Sequence, residues 1–163
     1  MSASAKSVRV LLLAACGGVA LAACETVQEV TNDALGNQFR AALNGANVPG
    51  GGDPNGSGIA RIETNDTTNT ICTDLEVREI GAVTGAHIHR GAPGTIGPPV
   101  VELDAPGDND SDDCDTVDDA LLDQIRNNPG GFYVNVHTAP FPQGAVRGNL
   151  QGGGQGQGGQ GQS

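Results

Sequence analysis

Thr70-Ile71-Cys72-Thr73-Asp74-Leu75-Glu76-Val77-Arg78-Glu79-Ile80 alternates without a break over most of its length. Ile71, Thr73, Leu75 and Val77 fall on one side of an extended chain, and Cys72, Asp74, Glu76 and Arg78 on the other. A period of two fits a strand with one face against a core and does not fit an amphipathic helix. Outward from this stretch, further short runs recur at Gln38–Leu43, Gly58–Thr64, Thr84–His89, Pro99–Leu103, Phe132–Thr138 and Ala145–Leu150. Gly- and Pro-rich segments such as Asn47–Gly58 and Gly91–Pro99 separate them. The pattern predicts an all-β, antiparallel β-sandwich or barrel. One short helix is expected, capped by Thr116 with Asp119 three residues on. Val117, Leu121, Leu122 and Ile125 form its apolar stripe, and Asn127-Asn128-Pro129-Gly130 stops it.

Composition agrees with strands. The chain has 163 residues, 37% hydrophobic but only 2% aromatic, so the core must come from Val, Ile, Leu and Ala in thin layers. That bounds the protein to one modest domain. Eight basic residues stand against 19 acidic ones, a net charge of −11. Such a balance excludes nucleic acid as a partner, because the phosphate backbone would be repelled, and disfavours electrostatic attraction to anionic membranes.

The N-terminus has the form of a secretory signal, with Lys6 and Arg9 followed by the apolar run Val10–Ala23. Leu21-Ala22-Ala23-Cys24 resembles the lipobox of bacterial lipoproteins, which implies cleavage before Cys24 and a lipid on its thiol. Leu13-Ala14-Ala15-Cys16 fits the same pattern but would leave too short an apolar region. The expected organisation is therefore a signal peptide over 1–23, a lipidated tether over 24–37, a domain over 38–150 and a disordered Gly/Gln tail over 151–163. Loss of Lys6 and Arg9 with the signal deepens the charge to −13. Cys16 leaves with it and Cys24 is lipidated, so Cys72 and Cys114 remain as one pair in an oxidising compartment, where a disulfide is expected.

All three histidines fall in two of the expected strands. In Gly85-Ala86-His87-Ile88-His89 the two rings leave one face, opposite Ala86 and Ile88. In Phe132-Tyr133-Val134-Asn135-Val136-His137 the apolar set leaves Tyr133, Asn135 and His137 on the other face. If the two strands are neighbours, about 4.8 Å apart, His87, His89 and His137 converge on one point and form a copper or zinc site. The competing reading is a solvated strand surface, since no acidic residue adjacent in sequence orients the rings. Arg147 either guides an anion to such a site or pairs with a carboxylate. Asp108, Asp110 and Asp112 have calcium-loop spacing, but the glycine and bidentate glutamate positions hold Asp113 and Asp119, so a solvated acidic loop is expected. No G-x-S-x-G, P-loop or dinucleotide fingerprint occurs.

Three segments carry a family likeness: Phe39-Arg40-Ala41-Ala42-Leu43-Asn44-Gly45-Ala46-Asn47-Val48-Pro49, Ala86-His87-Ile88-His89-Arg90-Gly91-Ala92-Pro93-Gly94, and Tyr133-Val134-Asn135-Val136-His137-Thr138 with Gly144-Ala145-Val146-Arg147-Gly148-Asn149-Leu150. Together they resemble the CHRD (chordin-type) domain. The resemblance implies an immunoglobulin-like β-sandwich distantly similar to copper/zinc superoxide dismutase. It further implies that His87, His89 and His137 are similar to copper ligands of that enzyme and Arg147 to its anion-guiding arginine. A fourth copper histidine and the zinc histidines have no counterpart here. Superoxide would also meet a net charge of −13, unless Arg90 and Arg147 formed a local positive funnel. Two functions are thus expected. One is a lipid-anchored, non-catalytic binding or structural module of the bacterial cell envelope, on the extracytoplasmic side, with an unidentified protein or small-molecule partner. The other is a copper- or zinc-binding protein of redox or metal-handling function.

Overall fold

The computed structural model describes residues 38–107 and 109–152. The expected signal and tether with Cys16 and Cys24, Asp108, and the tail from 153 onward lie outside the described residues. Nine strands are present among the described residues: β1 Gln38–Asn44, β2 Ser57–Asn65, β3 Thr70–Arg78, β4 Val83–Arg90, β5 Pro99–Leu103, β6 Asp110–Thr116, β7 Phe132–Thr138, β8 Val146–Asn149 and β9 Gln151–Gly152. One α-helix, α1 Asp119–Asn127, lies between β6 and β7.

Every strand pairing is antiparallel, in the order β5-β4-β7-β8-β1-β2-β3-β6, with β9 pairing to β1. The outermost strands, β5 and β6, come into contact, so the sheet curls into a nearly closed, flattened barrel. Alternation decides what fills it. Ile71, Leu75 and Val77 of β3, Ala60 and Ile62 of β2, Ala41 and Leu43 of β1, Ala86 and Ile88 of β4, and Val134 and Val136 of β7 are all buried in one core. Leu122 and Ile125 of α1 are fully buried in the same core, with Val117 and Leu121 packed against it. Backbones approach closely where β8 meets β1: a Cβ on Gly148 would lie 2.2 Å from the Ala42 carbonyl oxygen, so no larger residue fits there.

Several boundaries differ from expectation, each for a local reason. β3 stops at Arg78 rather than Ile80, because Glu79 adopts a left-handed φ of 56° that breaks the extended run. The helix N-cap is Asp118, not Thr116, because Thr116 is still in β6 and paired with Thr70. The acidic stretch expected to be a loop is strand β6, held to β3 in register from Thr70↔Thr116 to Glu76↔Asp110. Asp110 and Asp112 therefore stand on an exposed strand face rather than around a calcium loop. Gln151 and Gly152, expected to lie in the tail, pair with Arg40 and Phe39. Backbone pairing asks nothing of those side chains, which is why composition gives no sign of it.

Candidate metal centre

β4 and β7 are direct neighbours, with Gly85 opposite His137, His87 opposite Asn135 and His89 opposite Tyr133. Because Ala86 and Ile88 point into the core, His87 and His89 leave the outer face, where β7 presents Tyr133, Asn135 and His137. The ring centroids are 5.5 Å apart for His87 and His89, 5.2 Å for His87 and His137, and 6.2 Å for His89 and His137. One ligand nitrogen from each lies within 4.8 Å of the others, and all three residues are half-buried.

The face is not solvated surface. β7 is buried on both sides, with Tyr133 and Asn135 only 2% and 5% exposed. Two loops roof it and supply what adjacent acidic residues do not. The Gly97 carbonyl lies 2.9 Å from His89 Nδ1, and the Pro142 carbonyl 3.1 Å from His137 Nδ1. A carbonyl only accepts, so each Nδ1 carries the proton and donates, which leaves each Nε2 with its lone pair. His89 Nε2 and His87 Nδ1 are buried without a hydrogen-bond partner, while Asn135 Nδ2 makes a long 3.4 Å contact with His137 Nε2. Two of the three rings are thus oriented by backbone carbonyls, the same service a second-layer carboxylate performs at metal sites.

Gly97 also binds Tyr133, whose hydroxyl accepts from Gly97 N at 3.2 Å and donates to Gly97 O at 3.4 Å. The Tyr133 ring stacks on His89 at 4.9 Å and 10° between planes. Residue 97 has to be glycine, since a Cβ there would fall 1.7 Å from the Arg90 carbonyl oxygen. Alternation places Tyr133 on the histidine face; the roof carbonyls, coming from irregular loops, leave no sequence signal.

Burial lowers the pKa of His87, reinforced by the His137 and His89 imidazoles and opposed by Glu102. Burial also lowers that of His89, opposed by the Gly97 carbonyl and reinforced by His137 and Arg147. Both shifts favour neutral imidazole, the form that ligates a metal.

Arg147 is only 2% exposed. Its Cζ sits 3.4 Å from the centre of the Tyr133 ring, and its Nη2 donates to the Ala92 carbonyl. Desolvation lowers its pKa, with Tyr133 opposing. The carboxylate pairing considered for it is not formed: the ion pairs of the described residues involve Arg61, Arg78 and Arg126. Arg90 cannot contribute to a funnel here. It shares the inward parity of Ala86 and Ile88, runs beyond the core to Gln124 on α1, and lies over Phe132. Cys72 and Cys114 form the expected disulfide directly across β3 and β6, away from the histidines.

No curated protein and no solved structure matches the chain. The family model of the CHRD domain matches residues 39–150, spanning β1 to the end of β8 and including all three histidines and Arg147. The chain belongs to the CHRD domain family.

Proposed function

We propose that this CHRD domain is a metal-binding module in which His87, His89 and His137 hold one copper(II) or zinc ion. The observation that carries the reading is the convergence of three ligand nitrogens to within 4.8 Å across two neighbouring strands. Metal–nitrogen bonds of about 2.0–2.1 Å need the nitrogens somewhat closer together, which small side-chain rotations supply. All-imidazole ligation suits both ions, and the described cysteines are consumed in a disulfide, so no soft thiolate competes. Three neutral ligands leave part of the coordination shell to solvent or to a further ligand. We further propose that the module stands outside the cytoplasm of a bacterium, attached to a membrane through a lipid on Cys24, as the lipobox-like Leu21-Ala22-Ala23-Cys24 supports.

Titration of the purified, metal-stripped chain with copper(II) and with zinc, followed by metal analysis after desalting, should give one equivalent retained. His87→Ala/His89→Ala should retain none while keeping the native β-sheet spectrum. A native chain that retains no stoichiometric copper or zinc would refute the site and leave a binding or structural module without metal. For the anchor, mass spectrometry of membrane fractions should find an acylated peptide beginning at Cys24; an unmodified mature start elsewhere would refute it.

A further inference from the structure

The cavity beside the histidines has a volume of about 270 Å³ and joins two features that the metal does not explain. The first is Arg147. Its guanidinium lines the cavity, its Nε is buried without a hydrogen-bond partner, and no carboxylate among the described residues forms an ion pair with it. Arg61, Arg78 and Arg126 are all more exposed and all have carboxylate partners. In a chain with an excess of 11 negative charges, the one fully buried arginine of the described residues forms no ion pair with an acid. A buried, uncompensated cation is costly, and an anion brought from outside relieves that cost. The second feature is the wall and rim. Val48, Pro49, Ile96 and Pro142 line the same cavity, and Ile96 is 77% exposed, the single exposed large hydrophobic side chain among the described residues.

We propose that this cavity binds a compact organic monocarboxylate. Its carboxylate accepts from the Arg147 guanidinium, and its apolar body lies against Val48, Pro49, Ile96 and Pro142. The cavity volume corresponds to roughly nine waters at about 30 Å³ each, which sets the ligand at around ten non-hydrogen atoms or fewer. A guanidinium fork suits two carboxylate oxygens, and its contacts with the Tyr133 ring and the Ala92 carbonyl hold it in place before the ligand arrives. A bare inorganic anion would satisfy the charge but leave the apolar wall and Ile96 in water. The site does not depend on the metal, although a carboxylate seated there adjoins His89 and His137.

The test uses the purified chain held metal-free with chelator, and benzoate as probe. Calorimetric titration should show saturable 1:1 binding. Arg147→Gln should weaken it by at least about tenfold, Arg147→Lys should recover part of the loss, and Ile96→Ser should weaken it about threefold. Benzyl alcohol, with the ring but without the charge, should not bind detectably, and azide should bind more weakly than benzoate. Benzoate binding unchanged in Arg147→Gln, or absent from the native chain, would overturn the proposal. Azide binding as tightly as benzoate would overturn its apolar half. Should Arg147→Gln fail to fold, the Ile96→Ser and Arg147→Lys variants with the alcohol and azide comparisons decide alone. Because no metal is present, these outcomes are independent of whether the histidines bind copper or zinc.

Discussion

Gly97 holds the site together through its backbone on both sides: its carbonyl takes the proton-bearing Nδ1 of His89 and meets the Tyr133 hydroxyl, while its N–H donates to that same hydroxyl. Any Cβ at this position meets the Arg90 carbonyl, so Gly97→Ala has to displace the loop and with it both contacts. The expected result is a loss of about 1–3 kcal/mol in stability, the cost of leaving buried polar groups unpaired, and a fall in copper affinity of about tenfold from the disoriented His89. Thermal melts and metal competition check both. Gly81→Ala, where an added Cβ meets nothing within 4 Å, is the control and should change neither. At this scale the sequence made the ligands legible but not what orients them. Strict alternation in Ala86-His87-Ile88-His89 and in Tyr133–His137 sends the rings to one face whatever the tertiary detail. Gly97 and Pro142 act through backbone carbonyls, and every residue has one.

Strand β6 shows the opposite case, an element whose sequence hides it. Asp110-Ser111-Asp112-Asp113-Cys114-Asp115-Thr116 has no apolar alternation to signal a half-buried strand. It forms because β3 offers a long edge, and its register is fixed where Cys72 faces Cys114. That register sends Asp113 and Asp115 to the side of Thr73 and Ile71, toward the interior. Inward charge on a terminal strand discourages pairing with another chain. It is not free of cost to the fold. Burial raises the pKa of Asp115 above its ordinary 3.8, helped by Asp113, Asp104 and Glu102. A carboxyl whose folded value is raised holds its proton more tightly in the native state, so the native state loses stability as pH rises from 3.8 through that raised value. Asp115→Asn removes the penalty. At pH 7 it should stabilise the chain by on the order of 0.5 kcal/mol, the scale of a like-charge cross-strand contact, and the gain should vanish as pH approaches 3.8. Urea melts of both chains across that range test the sign; a gain that persists at the acid end would contradict it.

At the scale of the whole molecule, these acidic positions bear on why the barrel closes only in part. Glu102 of β5, Asp104 just after it and Asp113 of β6 all act on Asp115 of β6 at the seam, where the two strands make contact but no ladder. The fold class was legible because apolar alternation persists in β1 to β4 and β7. The closure was not, since it brings Glu102 and Asp104 to Asp115, more than ten residues along the chain, at one edge. Attachment of β6 then rests on the β3 ladder and the Cys72–Cys114 bond, whose sequence separation is 42. Constraining a loop of that length in the unfolded chain contributes about 4 kcal/mol. The Cys114 side is exposed, so reductant has access to the bond. Reduction should lower the melting temperature, and it should do so locally first: amide exchange across 110–116 should accelerate more than exchange in β1 or β7, because the repelled edge strand has lost its covalent tie. Added salt should narrow the gap between oxidised and reduced chains by screening the acidic seam. Exchange in β6 that stays as slow as in β7 after reduction would mean that the ladder alone holds the edge and that seam repulsion is negligible.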